Sequence, residues 1–444
     1  REFKSLPSHY FKNAFKIHLD VMTLQVVDKK HGISRREYPN GFDLNLIDYP
    51  RRRRYLAKLG IGVGVGNEGL YPHGTNHLYE HILVGPYMQS IPGTSNLNAE
   101  TKRAITTFWA SCKPDALELV VKRMFSSVEH YKDGLDRHSI ELGRITNETR
   151  MYRDRVDEWA EDSVFLPALF KGTALERSEC ASIASYRKIT PEQLLEYHDR
   201  WCTAPNLSLC VAGPIGNHAD EIEEVVARTF GSLPATNFEH PTIDVPIETP
   251  NVVVSRRRAC HRENWALGWR VLGNSTDVMP LSVLDSYLSN TSGGRLFDAI
   301  NSSGVRSYDP KSFYVNFRHC AAFYVMMGVD PGQFDQSFDV VRRTLDGVKH
   351  DFTDAQLSEA IDAAENEYQD DLEDPERSTD FIVRGKFDDS IISRPADFYG
   401  ALEGVTADDV LRVANKYFDF DKVTVARVMP FKKVEQALQT EAHD

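Results

Sequence analysis

An internal repeat is the feature that most constrains the fold of this chain. Residues 189–195 (ITPEQLL) recur 216 positions later as residues 405–411 (VTADDVL). Each copy leads into a helical segment that ends on an aromatic residue. Each helix is followed by an apolar strand closing on a proline, Pro214 or Pro430, again 216 positions apart. Composition alone rarely produces two such matching spacings, so we expect two similar halves.

Each half is expected to combine a sheet with helices. Strand-like apolar runs alternate with longer amphipathic segments of helical periodicity. Residues 236–250 are rich in proline and threonine and lack periodicity, which predicts a linker. We therefore predict an α+β fold with a first domain over residues 1–235 and a second, homologous domain over residues 251–444. Each domain should be a mostly antiparallel sheet packed with helices.

The first half contains the motif His77-Leu78-Tyr79-Glu80-His81. On a helix, His77 and His81 share one face, which suits two imidazole ligands of one Zn²⁺. Glu80 would then be close to a water held by the metal, whose pKa zinc lowers to about 7. A surface helix that carries these residues by chance is the alternative, but only about 0.03 such matches are expected per chain of this composition. Residues 281–288 (LSVLDSYL) occupy the corresponding place in the second half and contain no histidine, so one metal per chain is expected.

A catalytic zinc site normally has a third protein ligand. Residues 139–152 are a candidate helix, and their Glu141 and Glu148 lie two turns apart on the same face. Glu148 could bind the metal while Glu141 orients a ligand. The commoner role for any single glutamate is a solvated helix face.

Several segments resemble the inverzincin peptidases of the pitrilysin–insulinase class, within them the processing-peptidase-like two-domain branch. These segments are the motif at 77–81, YPNGF at 38–42, VGVGN at 63–67, NAET at 98–101 and NETRMY at 147–152. The resemblance implies zinc bound by His77, His81 and Glu148, with Glu80 as the catalytic base and Glu141 supporting a ligand. It also implies that the peptide substrate adds as a strand beside Asn98, Ala99, Glu100 and Thr101.

The second half departs from the family pattern at one position. Residues 294–308 (GRLFDAINSSGVRSY) resemble a segment in which an arginine and a tyrosine, seven residues apart, contact the substrate. Tyr308 is in place as the implied catalytic tyrosine, although an ordinary strand aromatic is the alternative. The arginine position is Asn301, which removes a charge-assisted donor.

The resemblance implies a zinc-dependent endopeptidase that cleaves short unstructured peptides or leader and presequence segments inside a clam-shell dimer. The partner is expected to be a second copy or a paralogous subunit, and Asn301 favours the paralogue. The alternative function is a zinc-carrying or non-catalytic subunit of a heterodimer that needs its partner for turnover. No nucleotide cofactor is expected, because Gly60, Gly62, Gly64 and Gly66 alternate with apolar residues as in a strand.

Composition limits the partners and the location. The net charge of −13 disfavours nucleic acid and would draw basic peptides towards an acidic cavity. No apolar run approaches the roughly 20 residues of a membrane span. The six cysteines form no CxxC pair or dense framework, which predicts reduced thiols and a cytoplasmic location.

Overall fold

The computed structural model describes two stretches of the chain. They are residues 24–239, except 86 and 89, and residues 251–430, except 258–259, 274–275, 290–293, 308, 318–319 and 389–393. Most of the predicted linker, residues 240–250, lies outside these stretches, and so does Tyr308. Among the helices of the described stretches, none combines the length and apolarity that a bilayer crossing requires.

The first sheet has seven strands. From one edge to the other they are β1 (Gln25–Asp28), β2 (Ile33–Glu37), β3 (Asp43–Asp48), β7 (Leu207–Gly213), β4 (Tyr55–Ile61), β6 (Thr106–Cys112) and β5 (Thr94–Thr101). Only β3 and β7 are parallel, and all other neighbours are antiparallel. Within the described part of the chain, strand β5 pairs with β6 alone and therefore forms an edge.

The second sheet repeats the arrangement of the first. Its order is β10 (Lys311–Phe317), β11 (Cys320–Val329), β9 (Glu263–Leu272), β12 (Thr424–Pro430) and β8 (Asn251–Arg257). Strands β8 and β12 are parallel and the others antiparallel, as for β3 and β7 in the first sheet. Reading from β5 and from β10 gives the same chain connectivity, and only the β1–β2 hairpin lacks a counterpart in the described second half. The prediction of two homologous α+β halves is confirmed.

The described helices pack against these sheets and against each other. In chain order they are α1 (Thr75–Val84), α2 (Leu117–Glu129), α3 (Tyr131–Gly134), α4 (His138–Asp154), α5 (Val156–Ala160), α6 (Leu166–Leu169), α7 (Ile183–Tyr186), α8 (Pro191–Trp201), α9 (Ala219–Arg228), α10 (Val278–Ser289), α11 (Arg295–Ser302), α12 (Phe334–Val348), α13 (Asp354–Glu373), α14 (Pro375–Gly385), α15 (Pro395–Glu403) and α16 (Ala407–Tyr417). A π-helical turn, Glu161–Phe165, joins α5 to α6.

The repeated sequence segment forms the same helix start in both halves. Helices α8 and α16 begin 216 positions apart. The hydroxyl of Thr190 accepts a hydrogen bond from the backbone N–H of Gln193, and the Gln193 side chain accepts one from the backbone N–H of Thr190. Thr406 and Asp409 form the same pair of bonds. This reciprocal cap satisfies backbone donors that the first helical turn leaves free, which explains why the segment is repeated.

Helical segments of each half pack against the sheet of the other half. Helix α14 of the second half packs Val383 and Ile382 against the first sheet, including Ala212. In return, Phe165 of the first half packs against Tyr324 on the second sheet, with ring centroids 5.1 Å apart. Lys58 on β4 also donates a 2.9 Å hydrogen bond to the carbonyl oxygen of Glu376. Each sheet is therefore covered on one face by its own helices and on the other by the opposite half.

We expect the substitution Asp277→Asn to destabilise the second half in a pH-dependent way. The Asp277 carboxylate is 2% exposed and accepts 2.6 Å hydrogen bonds from Lys416 and Tyr417, besides its pair with Arg412. Burial raises the pKa of Asp277, but these bonds outweigh it and lower the pKa to about 2. A lowered pKa stabilises the fold above about pH 4, and this contribution disappears as the pH falls through about 2. The free energy of unfolding should drop by about 2 kcal/mol at pH 7 and by about half as much at pH 3, measured by urea denaturation.

Asp362→Asn, an exposed change on α13, is the control and should have little effect at either pH. An equal loss of stability at pH 7 and pH 3 for Asp277→Asn would contradict the ion-pair explanation.

Candidate metal centre

Helix α1, which carries the histidine motif, has a buried carboxylate at its start. Glu68 accepts 2.9 Å hydrogen bonds from the backbone N–H groups of Gly74 and Asn76, and Arg177 lies 3.0 Å from its other oxygen. Gly74 has φ 95°, and a Cβ there would come within 2.4 Å of the Tyr186 ring. Glu68 thus satisfies the first donors of the helix and sets its direction. Sequence reasoning missed Glu68, because its role depends on tertiary contacts.

The structure brings His77, His81 and Glu148 together. His77 Nε2 lies 3.5 Å from one carboxylate oxygen of Glu148, and His81 Nε2 lies 3.1 Å from the other. One ligand atom from each of the three residues lies within 4.8 Å of the other two. Two imidazole nitrogens and one carboxylate are the donor set of many catalytic zinc sites. The three residues therefore fit a zinc ion that keeps an open coordination position.

The outward nitrogen of each histidine ring has its own partner. His81 Nδ1 lies 3.4 Å from Glu141, whose carboxylate also binds Arg144 at 2.9 Å. His77 Nδ1 lies 3.0 Å from the hydroxyl oxygen of Tyr186. Such contacts fix the ring orientation and direct Nε2 towards the metal position. Glu141, a predicted supporting residue, thus contacts one of the predicted ligands, whereas Tyr186, more than a hundred residues from the motif, gave no local signal.

Electrostatics in this group favour a cation. Hydrogen bonds from His77 and His81 hold the pKa of Glu148 well below its usual value. For His81, burial lowers the pKa, but the bonds with Glu141 and Glu148 outweigh it and raise the pKa to about 10. The carboxylates therefore attract positive charge to this place, as a divalent ion requires.

Glu80 lies on the same helix but points to a different neighbour. Its carboxylate is buried and accepts a 3.3 Å hydrogen bond from the hydroxyl of Thr101. Burial raises the pKa of Glu80, while His81 and His77 oppose that shift. A buried carboxyl group with a raised pKa beside a metal position is suited to taking up and releasing a proton.

A cavity of about 600 Å³ opens over His77, Glu80 and Glu148. One wall is the edge strand β5, which contributes Ala99, Glu100 and Thr101. Asn98 lies on the same strand and is exposed, but it is not part of this wall. The opposite wall and rim are formed by Met151, Tyr152, Arg155, Glu158, Glu161, Asp162, Leu166, Glu179 and Cys180, and by Lys102 and Arg103.

The charge of this cavity is predominantly negative. Its basic residues are paired, since Lys102 contacts Glu100 at 2.6 Å and Arg103 contacts Asp162 at 2.8 Å. Glu161 and Glu148 add further carboxylates. Sequence reasoning located the β5 wall and missed the opposite one, because its residues come from α4, the π-helical turn and the loop that precedes α7.

Asn301, at the position of the family's arginine, is not among the residues around the metal group. Asn301 is exposed on the last turn of α11 and does not line the cavity. Tyr308, the predicted catalytic tyrosine, lies outside the described residues. His73 lies just before α1, where its Nε2 donates a 2.6 Å hydrogen bond to the carbonyl oxygen of Ser178.

Comparisons with known proteins agree with this architecture. The family described as "Peptidase M16 inactive domain" matches residues 188–364. An uncharacterized zinc protease of Mycobacterium leprae is 26% identical over 335 residues, which cover 72% of this chain and 74% of that protein. The crystal structure of a protease from Helicobacter pylori matches with a TM-score of 0.76 at 16% identity, over 90% of this chain and 99% of that one.

A crystal structure of a peptidase M16 inactive domain from Pseudomonas fluorescens matches equally well. Its TM-score is 0.76 at 15% identity, over 90% of this chain and 98% of that one. At such identities the structural matches establish the fold. In sequence and fold the chain is similar to the peptidase M16 family, the inverzincins of the pitrilysin–insulinase class.

Proposed function

We propose that this chain is a zinc-dependent endopeptidase for short, unstructured peptides or leader segments. The observation that carries the proposal is the convergence of His77, His81 and Glu148 beside the buried carboxyl group of Glu80. All but His81 line a cavity of about 600 Å³, which is within the usual range for ligand sites. A relative that is 26% identical is named an uncharacterized zinc protease, which supports the same reaction class.

The chain's own residues supply the proton transfers. Bound zinc would polarise the scissile carbonyl and lower the pKa of the attacking water. Glu80 takes the proton of that water and delivers it to the leaving amine, so its raised pKa serves both steps. Glu141 and Tyr186 hold the two imidazole rings in the orientation that metal binding needs.

The edge strand β5 is the proposed substrate-docking element. Among the described strands, none pairs with the outer side of β5, which lies next to the metal position, so an extended peptide can add to the first sheet as one more strand. An unstructured segment can extend along this edge without first unfolding, so unstructured substrates are favoured. The carboxylate of Glu161 in the cavity favours basic residues near the cleaved bond.

A second chain is proposed to complete the chamber. Asn301 stands where the family resemblance places an arginine, so a paralogous subunit could supply the missing guanidinium. In that arrangement this chain would carry the zinc and its partner would provide the arginine–tyrosine pair. An assembly of two identical copies remains the other form of the proposal.

Cleavage of a diverse pool of unstructured peptides, analysed by mass spectrometry, tests the proposed function. We expect the purified chain loaded with one equivalent of zinc to cleave peptides, to lose this activity on chelation and to regain it when zinc is restored. Cleavage that continues after the metal is removed would contradict the zinc mechanism. Stoichiometric zinc without cleavage would contradict a self-sufficient peptidase and favour the heterodimer, which the same assay with an added paralogue would then test.

A further inference from the structure

The cavity of about 600 Å³ over His77, Glu80 and Glu148 is called the zinc cavity below. The second half contains a cavity in the corresponding place. It measures about 280 Å³ and lies between α10, α13 and the edge strand β10. From α10 it takes Ser282, Asp285 and Ser286, which have the same i, i+3, i+4 spacing as His77, Glu80 and His81 on α1. The two helices also occupy equivalent places after β4 and β9.

The correspondence extends to the opposite wall. Helix α13 contributes Ala364, Glu367, Tyr368 and Asp371 to this cavity. The zinc cavity takes Glu148, Met151 and Tyr152 from α4, and Arg155 from just after this helix. Each pair is separated by 216 positions, the period of the repeat. All three metal ligands have therefore been replaced by serine or alanine, while the space has been kept.

The edge strand provides a matching contact in both halves. Asp285 takes the place of Glu80 and accepts hydrogen bonds from the backbone N–H of Tyr314 at 2.9 Å and from the hydroxyl of Ser312, both on β10. In the first half the hydroxyl of Thr101 on β5 donates to Glu80. The acidic group at the floor of the site is thus retained where the metal ligands are lost.

The described lining of this cavity is acidic, as in the zinc cavity, but it lacks the basic residues that pair with carboxylates there. Asp285, Glu367 and Asp371 are acidic, and the described lining contains no lysine, arginine or histidine. At the position equivalent to Arg155 the second half has Asp371, so the change of sign occurs within the repeat itself. Burial, and also the charge of Glu367, raise the pKa of Asp285 to about 7.

Aromatic rings and an unsatisfied hydroxyl complete the site. Tyr368 is 6% exposed, and its buried hydroxyl has no hydrogen-bond partner among the described residues. Its ring stacks on Phe398 at 3.8 Å and meets Phe381 edge-on at 5.4 Å. Aromatic faces attract cations, and a buried hydroxyl without a partner calls for a donor or acceptor from a ligand.

We propose that this second-half cavity binds the guanidinium or ammonium end of a basic side chain in an unstructured peptide. The carboxylates of Glu367 and Asp371 accept its N–H groups, Tyr368 supplies a further oxygen, and the surrounding rings hold the aliphatic part. At about 280 Å³ the cavity holds one such side chain and not a peptide segment. Asp371 already accepts a guanidinium from outside the cavity, since Arg377 lies 3.0 Å from its carboxylate. Binding in this cavity does not require peptide hydrolysis. A failed binding test would therefore leave the proposed peptidase function unaffected.

Calorimetric titration with N-acetyl-arginine methylamide tests this proposal, with the citrulline analogue as an uncharged probe of the same shape. The arginine probe should bind the unmodified chain at least tenfold more tightly than the citrulline probe. The double substitution Glu367→Gln with Asp371→Asn should remove this site and weaken binding at least tenfold. The matched control is Asp362→Asn with Glu373→Gln, which removes two charges from the same helix outside the cavity.

Equal binding by both double variants would overturn the proposal, because the probe would then bind elsewhere, for example in the zinc cavity. Equal affinity for the arginine and citrulline probes would also overturn it. Tyr368→Phe gives a second measurement that removes one oxygen without changing the charge. We expect Tyr368→Phe to weaken the affinity for the arginine probe three- to tenfold. Unchanged affinity would show that the hydroxyl does not contact the ligand and would overturn the proposed role of Tyr368.

Discussion

Glu80→Gln should lower kcat for peptide cleavage by about a thousandfold while zinc stays bound. The carboxyl group of Glu80 is buried next to the three metal-binding residues, and burial raises its pKa. Glutamine has nearly the same shape, and its carbonyl oxygen can still accept the hydrogen bond of the Thr101 hydroxyl. It cannot take up a proton, so only the proton transfer is lost.

Two measurements separate this effect from damage to the site. The zinc content of Glu80→Gln should remain one per chain, and its KM should change by less than a few-fold, since Glu80 is not among the metal ligands. Glu158→Gln is the matched control, because Glu158 also lines the cavity but is exposed and pairs with Arg155 at 3.2 Å. A thousandfold loss in that control, or near-normal kcat in Glu80→Gln, would contradict the proposed role of Glu80.

The parts of the site that depend on local spacing could be predicted from the sequence. His77 and His81 face the same way because they are one helical turn apart, and Glu148 followed from helical spacing together with the family resemblance. Arg144, which binds Glu141 at 2.9 Å, could also have been found, because it is three residues away on the same helix. Periodicity within one element therefore carries most of the information about the metal group.

The contacts that hold the metal helix in place could not be predicted in this way. Glu68 and Tyr186 reach the helix from segments that show no pattern connecting them to it. The repeat predicted two similar sheets, but the exchange of cover between the halves, in which Val383 packs on the first sheet, depends on three-dimensional packing. Hydrophobic patterning shows which face is buried and does not show what covers it.

The same limit applies to the second-half cavity. Residues 281–288, the counterpart of the motif segment, contain no histidine, so the sequence alone indicates only that the metal site is absent there. The change of charge at Asp371 becomes meaningful only when α13 and α4 are compared across the repeat. A repeat therefore predicts corresponding positions, while the function of each position depends on its surroundings.

Arg103→Met should lower the free energy of unfolding by about 3–5 kcal/mol, measured by urea denaturation. Arg103 is 2% exposed and contacts Asp162 at 2.8 Å and Glu179 at 3.7 Å. Its guanidinium also donates to the carbonyl oxygens of Leu175 and Asp162. Methionine fills a similar length but removes one donor from each of two acidic groups and two carbonyl oxygens, and weakly compensated charge is costly in a buried place.

Lys102→Met is the matched control, because Lys102 is the adjacent basic residue and its side chain is about half exposed. It should cost less than about 1 kcal/mol, as is usual for exposed ion pairs. Adding Asp162→Asn to Arg103→Met should recover part of the lost stability, since the second change removes one of the stranded charges. A double variant no more stable than Arg103→Met would show that packing dominates and that the ion pair is not what Arg103 contributes.

The same substitution should also affect activity, because Arg103 and Asp162 both line the zinc cavity. Loss of their pairing should displace the residues of the cavity wall, so peptide cleavage by Arg103→Met should fall even at temperatures where the protein remains folded.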